Sequence, residues 1–478
     1  MIINLLQYWD DPADSVRPNE GTLLPLWKFP KPASTYPSMV TALAWNPVHD
    51  DLFAVGYGNL QQLLHNDDQG SVALHSLLCP CRPQSKEAIL LPASVLCLDF
   101  HPVDAHLLAV GCSNGTVHIV DCQSLDKITS ASKGPELMDS AVTQIRWIKQ
   151  HMGPSPCFLA SSIKGEITEW KMNVSVSKGI FLELVGSCRL TVPPRSLFSS
   201  NGCPPHQLEF PAPILCFDID PMTNRLILGN QDGSMACAFA PSCGSRSQHS
   251  SNNGDCHDGP VVSVAWRDVS SYESDAASTS HLALLTASSD WSVRLWDSLT
   301  TDGSLTLLET FDMGAAVADV AWSPACSTIF GAVTESGVAH VYDMAKGVCK
   351  PLCTQRIVSS KVTLTRLAFN PLHRAIVAVG DGRGCVHCFK LSPNLRGASS
   401  GGDTLNGGHR NETGGGMRTV VTRRARQKKM ENGENASCRQ KDTESIKAVS
   451  PQMPMEPLRQ VLKNARLRRE AEVCFDSL

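Results

Sequence analysis

One spacing recurs seven times along this chain and limits what it can fold into. A β-branched or aliphatic residue is followed three positions on by another apolar residue, then two further by an aromatic or large apolar one. The copies are Val40/Leu43/Trp45, Val95/Leu98/Phe100, Val142/Ile145/Trp147, Ile214/Phe217/Ile219, Val261/Val264/Trp266, Val317/Val320/Trp322 and Leu364/Leu367/Phe369. Five of them run into a polar residue and a proline: Asn46-Pro47, His101-Pro102, Asp220-Pro221, Ser323-Pro324 and Asn370-Pro371. Proline cannot donate to a sheet ladder, so each of these ends a strand and opens a turn. A second apolar strand follows, as in 107–111 or 375–380, then a tight polar turn and a third strand with alternating apolar positions, as in 115–121 or 337–343.

The last residues of the seven copies lie 47 to 72 positions apart. A propeller blade of the WD40 type repeats every ~40–45 residues, and loop insertions lengthen it. The expectation is an all-β chain, a seven-bladed WD40 β-propeller over residues 20–396. The longest gap, before Ile219, holds a Pro- and Ser-rich stretch from Val192 to Pro205 that reads as an inserted loop. The seventh blade offers only three strands before the sequence turns glycine-rich. An orphan apolar strand, residues 20–29 (EGTLLPLWKF), precedes the first blade. Placed as the outer strand of the last blade, it closes the ring through Leu23, Leu26 and Trp27 and covers both edges. Pro25 is compatible, because an outer strand tolerates proline on its free edge.

Residues 286–297 (TASSDWSVRLWD), with His257-Asp258-Gly259 upstream, carry the fullest WD signature. His257, Thr286, Asp290 and Trp296 match the hydrogen-bonded tetrad typical of WD40 blades. Asp290 accepts from the imidazole, His257 reaches the Thr286 hydroxyl, and that hydroxyl meets the Trp296 indole N–H. Every role is thereby taken by structure. No oxyanion-hole or nucleophile-elbow motif accompanies the set, so a Ser/His/Asp catalytic reading fails. The other blades lack most of the tetrad, and apolar packing between sheets is expected to hold them.

Composition narrows the function. From Gly397 onward there are 15 basic and 10 acidic residues, which leaves 27 basic and 36 acidic in the body. An acidic body is poorly suited to nucleic acid, whose phosphates need clustered cations. No apolar run approaches the ~18–20 residues that span a bilayer, and the first residues have no basic region ahead of an apolar one. The 19 cysteines therefore read as reduced thiols in an intracellular chain. Cys385 and Cys388 form a C-x-x-C within an expected strand, where the two side chains point apart and share no metal. The run Gly380-Asp381-Gly382-Arg383-Gly384 lacks a following helix and a Walker lysine, so it reads as a turn and no nucleotide or other cofactor is expected. The chain is read as no enzyme.

Several segments resemble axonemal dynein intermediate chains of the outer-arm type: 20–29 (EGTLLPLWKF), 40–47 (VTALAWNP) with 51–58 (DLFAVGYG), 288–297 (SSDWSVRLWD), 316–344 and 391–396 (LSPNLR). The resemblance covers about residues 5 to 396. It implies a non-catalytic scaffold of a ciliary motor complex, found in the cytoplasm, the cytoskeleton and the axoneme of the cilium or flagellum. The implied partners are the dynein heavy chain and a second intermediate chain, with microtubules met indirectly. Members of the family carry a long N-terminal extension that holds the light chains. Here only the stub 1–19 precedes the propeller, so light-chain binding is not carried over. The first blade also departs from the pattern after Gly58, over 59–70. Two other readings fit the repeat alone: a general WD40 adaptor, for instance one presenting substrates to a ubiquitin ligase, and a cytoplasmic dynein intermediate chain.

The tail, 397–478, is rich in Gly, Ser, Asn and charge to about Ser450 and is expected to be disordered. Its basic run Arg423–Lys429 reads as a solvated linker, with a nuclear signal or contact with the acidic microtubule surface as alternatives. Leu458, Val461, Leu462 and Ala465 stand at helical spacing and predict a short amphipathic helix over 457–469, marginal on its own.

Overall fold

In the computed structural model the seven copies of the repeat are the inner strands of seven blades: Met39–Trp45, Val95–Phe100, Val142–Trp147, Ile214–Ile219, Val261–Trp266, Val317–Trp322 and Leu364–Phe369. The structure describes residues 20–32, 38–59, 69–78, 88–122, 128–131, 138, 140–148, 156–175, 179–189, 191–192, 210–211, 213–220, 224–243, 256–267, 283–297, 305–324, 326–346 and 350–396. The stub 1–19 and the whole tail 397–478, with its basic run and its helix over 457–469, lie outside these.

Residues three apart in a regular strand face opposite ways, so the spacing of three and then two needs a device. All seven inner strands use the same one. Their pairing register shifts once, just after the first residue of the copy: at Val40/Ala42, Val95/Cys97, Val142/Gln144, Ile214/Cys216, Val261/Ser263, Val317/Asp319 and Leu364/Arg366. A bulge there inserts one extra residue and brings the first, fourth and sixth positions onto one face. Each triplet accordingly sits within a single apolar cluster, as Val142, Ile145 and Trp147 do between blades 2 and 3. The first residue of every copy is at most 1% exposed. Its neighbour in the preceding blade is often a glycine. A Cβ on Gly56, Gly111, Gly229 or Gly380 would lie no more than 2.7 Å from a methyl of Val95, Val142, Val261 or Val40 respectively. Only a residue without a side chain permits that approach.

Around the inner strands the blades are antiparallel meanders. Blades 1, 2, 3, 5 and 6 have four strands in sequence order, ending in Ile89–Leu91, Ile128–Ala131, Gly179–Arg189, Thr306–Asp312 and Cys353–Arg356. Blade 1 is thus complete despite its departure after Gly58. Blade 4 shows three strands among the described residues. In the long gap before it, Thr191–Val192 pairs with Phe210–Pro211, and 193–209 lie outside the described residues.

Blade 7 takes its fourth strand from the other end of the chain. Leu23–Phe29 pairs antiparallel with Val386–Leu391, from Leu23 opposite Leu391 to Phe29 opposite Val386. A register shift between Pro25 and Trp27 displaces Leu26. Burial is deepest at Leu23 and Phe29, both 3% exposed, whereas Leu26 and Trp27 are only partly buried. Phe29, which the sequence reading passed over, meets the Phe53 ring of blade 1 edge to face with centroids 5.2 Å apart. Cys388 is buried in the preceding strand, but Cys385 stands in the turn before that strand and not within it.

Candidate functional site

Two groups of polar side chains stand out, one inside blade 5 and one around the axis of the ring. In blade 5, Thr286 lies on strand Ala283–Ser288 and Trp296 on strand Ser292–Asp297. His257 lies in the segment leading into the inner strand, and Asp290 in the turn between the second and third strands. The structure brings the four together. His257 Nδ1 is 2.9 Å from Asp290 Oδ2, His257 Nε2 is 2.8 Å from Thr286 Oγ1, and Trp296 Nε1 donates to Thr286 Oγ1 at 2.8 Å. An ionised carboxylate only accepts, so the ring proton is assigned to Nδ1 and the Thr286 hydroxyl donates to Nε2. Asp290 also accepts from the backbone N–H of Asp258 (3.0 Å) and from the N–H and hydroxyl of Ser292 (3.0 and 2.7 Å).

The electrostatics follow from burial and these bonds. Burial pushes the His257 pKa down, and its hydrogen bond to Asp290 offsets this only in part. Burial alone would raise Asp290, but the hydrogen bonds from His257 and Ser292 hold its carboxyl well below the usual range. The imidazole is neutral and has a partner on each nitrogen. No hydroxyl is left with a free base beside it, and the chain of bonds ties one end of the blade together.

The second group was not read from the sequence. Every boundary between neighbouring inner strands is bridged by a side-chain hydrogen bond. Thr41 Oγ1 donates to Val95 O at 2.6 Å. Asp99 accepts the Trp147 N–H at 2.9 Å, Gln144 that of Phe217 at 3.0 Å, and Asp218 that of Trp266 at 2.8 Å. Ser263 Oγ donates to Asp319 at 2.7 Å, Asp319 accepts the Leu367 N–H at 2.9 Å, and Arg366 Nε donates to Thr41 O at 2.6 Å. Three anchor indoles reinforce them. Trp45, Trp147 and Trp322 donate to the carbonyls of Ala368, Asp99 and Ala265 in the preceding blade at 3.0–3.1 Å. The signal was present: Asp99 and Asp218 occupy the same place in their copies, one residue before the anchor.

Gln144, Asp218, Ser263, Asp319 and Arg366 of this set line a central channel with a cavity of about 300 Å³. Arg146 stands in it with Nε 3.6 Å from Asp218 Oδ1. Burial would lower the Arg146 pKa, but Asp218, Asp99 and Asp319 together raise it. Cys97 and Cys216 hydrogen-bond to the carbonyls of Val142 and Val261, and burial pushes both thiols far up. They are buried protonated thiols and not nucleophiles. Among the described residues, no three His, Cys, Asp or Glu side chains converge as metal ligands. The carboxylates of the channel are spent on holding blades together.

Residues 89–121 and 250–297 match the family described as WD domain, G-beta repeat, which takes in blade 2 and the tetrad blade. The chain is 33% identical over 403 residues to the 78 kDa intermediate chain of the flagellar outer-arm dynein of Chlamydomonas reinhardtii, covering 82% of this chain and 53% of that one. It is 33% identical over 402 residues to the ciliary dynein intermediate chain 2 of Heliocidaris crassispina (82% and 52%). Over the aligned stretch, this chain is similar to axonemal dynein intermediate chains. Dynein axonemal intermediate chain 1 of Mus musculus shows a similar relation, 34% over 401 residues (82% and 52%). The chain spans about half the length of these axonemal intermediate chains.

Proposed function

We propose that this chain is a non-catalytic scaffold subunit of an axonemal dynein motor complex, working in the cytoskeleton of the cilium or flagellum. In this reading its propeller binds the dynein heavy chain beside a second intermediate chain and meets microtubules only through the assembly. The observation that carries it is the extent of the relation: the identity to flagellar and ciliary intermediate chains runs over 82% of the chain. The geometry suits the role. A ring bridged at every blade boundary is a rigid body, and the tetrad and bridge side chains are engaged in structure, so function rests on which partner the surface holds. A tagged copy expressed in ciliated cells should recover axonemal dynein heavy chain. Recovery of ubiquitin-ligase subunits without heavy chain would reject the motor reading in favour of a general adaptor.

A further inference from the structure

In blades 7, 1 and 2 the turn after the inner strand is built to one plan: Asn370-Pro371-Leu372, Asn46-Pro47-Val48 and His101-Pro102-Val103. The polar side chain that opens each turn accepts the N–H of the residue two positions on. Asn370 takes Leu372 at 2.9 Å, Asn46 takes Val48 at 3.0 Å and His101 takes Val103 at 3.2 Å. The backbone is thereby held inward and the apolar side chain stands outside, with Leu372, Val48 and Val103 at 49%, 52% and 82% exposed. The turns are also joined to one another. Asn370 Nδ2 donates to Asp50 O in the next turn, and Asn46 Nδ2 to Ala105 O in the one after.

In an antiparallel meander the end of the third strand lies at the same end of the blade as this turn. That adds Leu78, 56% exposed, whose neighbour Leu77 donates to Asp51 O at 2.8 Å. Four large apolar side chains thus form a hydrogen-bonded arc over three adjacent blades. A single exposed valine needs no explanation, but a repeated and rigidly held set does. Asp50, Asp51 and Asp104 lie along the arc with Arg374, and Arg396 and Lys390 stand close enough to act on His373 of the blade 7 turn.

We propose that the arc is the docking site of the chain's own segment 457–469. That segment carries the stripe Leu458, Val461, Leu462 and Ala465, five basic residues and no acidic one. Its sign opposes that of the body, which holds 36 acidic and 27 basic residues before Gly397. A helix this short is marginal in water and forms where its apolar face is covered. The 60 residues between Arg396 and Pro457 are Gly- and Ser-rich, and such a linker has a typical reach of about 40 Å. Tethering also gives the segment an effective concentration near the millimolar range, so weak contacts suffice. The inference is independent of the motor reading.

Hydrogen exchange on the full chain tests it. At low salt, amides of 457–469 should exchange at least about tenfold more slowly than an unstructured chain, and added salt should weaken the effect. Substituting Val48→Asp, Val103→Asp and Leu372→Asp together, all exposed, should return 457–469 to the unprotected rate while the blade strands keep theirs. Should that variant lose strand protection, Leu458→Asp with Leu462→Asp serves instead, read as faster exchange at the three turns. Unprotected exchange of 457–469 in the unaltered chain, or protection that survives the substitutions, overturns the proposal. Protection that grows with protein concentration places the segment on a second copy and overturns it too.

Discussion

Asp290→Ala tests the blade 5 tetrad most directly. The carboxylate accepts from His257 Nδ1, from the Asp258 and Ser292 amides and from the Ser292 hydroxyl. Alanine strands all four donors, but not equally. The Asp258 backbone is exposed and water replaces the lost bond. The His257 side chain is wholly buried, so its Nδ1–H bears the main penalty. Ser292 Oγ lies 3.1 Å from that nitrogen and takes over part of the load. One buried donor left poorly satisfied costs about 1–3 kcal/mol, and the serine keeps the sum inside that range.

The pH dependence has a defined sign. Asp290 titrates lower in the folded chain than in the unfolded one, so its contribution is present above the ordinary carboxylate range, near pH 4, and is lost as pH falls through the folded value. The gap between parent and Asp290→Ala in urea melts should be full at pH 7 and shrink below about pH 4. Glu335→Ala, at an exposed turn position, is the control. Equal stability of the two variants at pH 7 would refute the assignment of a stabilising role to the tetrad.

Three further expectations concern the ring. Phe29→Ala should cost about 3–5 kcal/mol, the usual loss for a buried phenylalanine, and Leu26→Ala clearly less; equal thermal shifts would contradict the burial pattern of the closing strand. Burial lowers the His75 pKa from 6.5 to about 4, so the unfolded chain takes up its proton first as pH falls. Stability on the order of 3 kcal/mol is present above pH 6.5 and lost between 6.5 and 4, and His75→Phe should flatten that acid limb in melts across the range. Asp319→Ala removes the bridge on both sides of blade 6 and should cost more than Ser263→Ala, which breaks one; equilibrium unfolding reads the difference.

The sequence carried the blade count, the closing strand and the tetrad because each depends on residue type at fixed spacing. The triplets were legible even though their spacing of three contradicts strand periodicity, since the same irregularity recurred seven times. Its cause, the bulge after Val40 and its six counterparts, is a pairing property and appears only once the second strand is in place. The bridges across blade boundaries were hidden for a related reason. Asp99 and Trp147 are 48 positions apart, and nothing local shows that a lone aspartate in an apolar strand faces a backbone amide of the next blade. Within the closing strand, the register shift at Pro25 sends Leu23 and Phe29 to different apolar clusters, although their even spacing would put them on one face.

The distribution of these bonds bears on how the ring behaves as a unit. If each blade were stapled internally, as blade 5 is, the loss of one blade would leave its neighbours intact. Among the described residues only blade 5 has the full internal set, whereas all seven boundaries carry a side-chain bridge. Thr41, Asp319 and Arg366 belong to blades 1, 6 and 7 and link them in one run, with Asp319 and Thr41 each serving two boundaries. The apolar clusters have the same character. Val142 packs with Ala109 and Ile119 of the preceding blade, so the core lies between sheets and not within them. Stability then resides at boundaries, and opening one exposes apolar surface on two blades at once. Local opening is disfavoured against opening of the whole ring. A body that resists local opening keeps its surface turns in fixed relation, which is what the scaffold role proposed above requires.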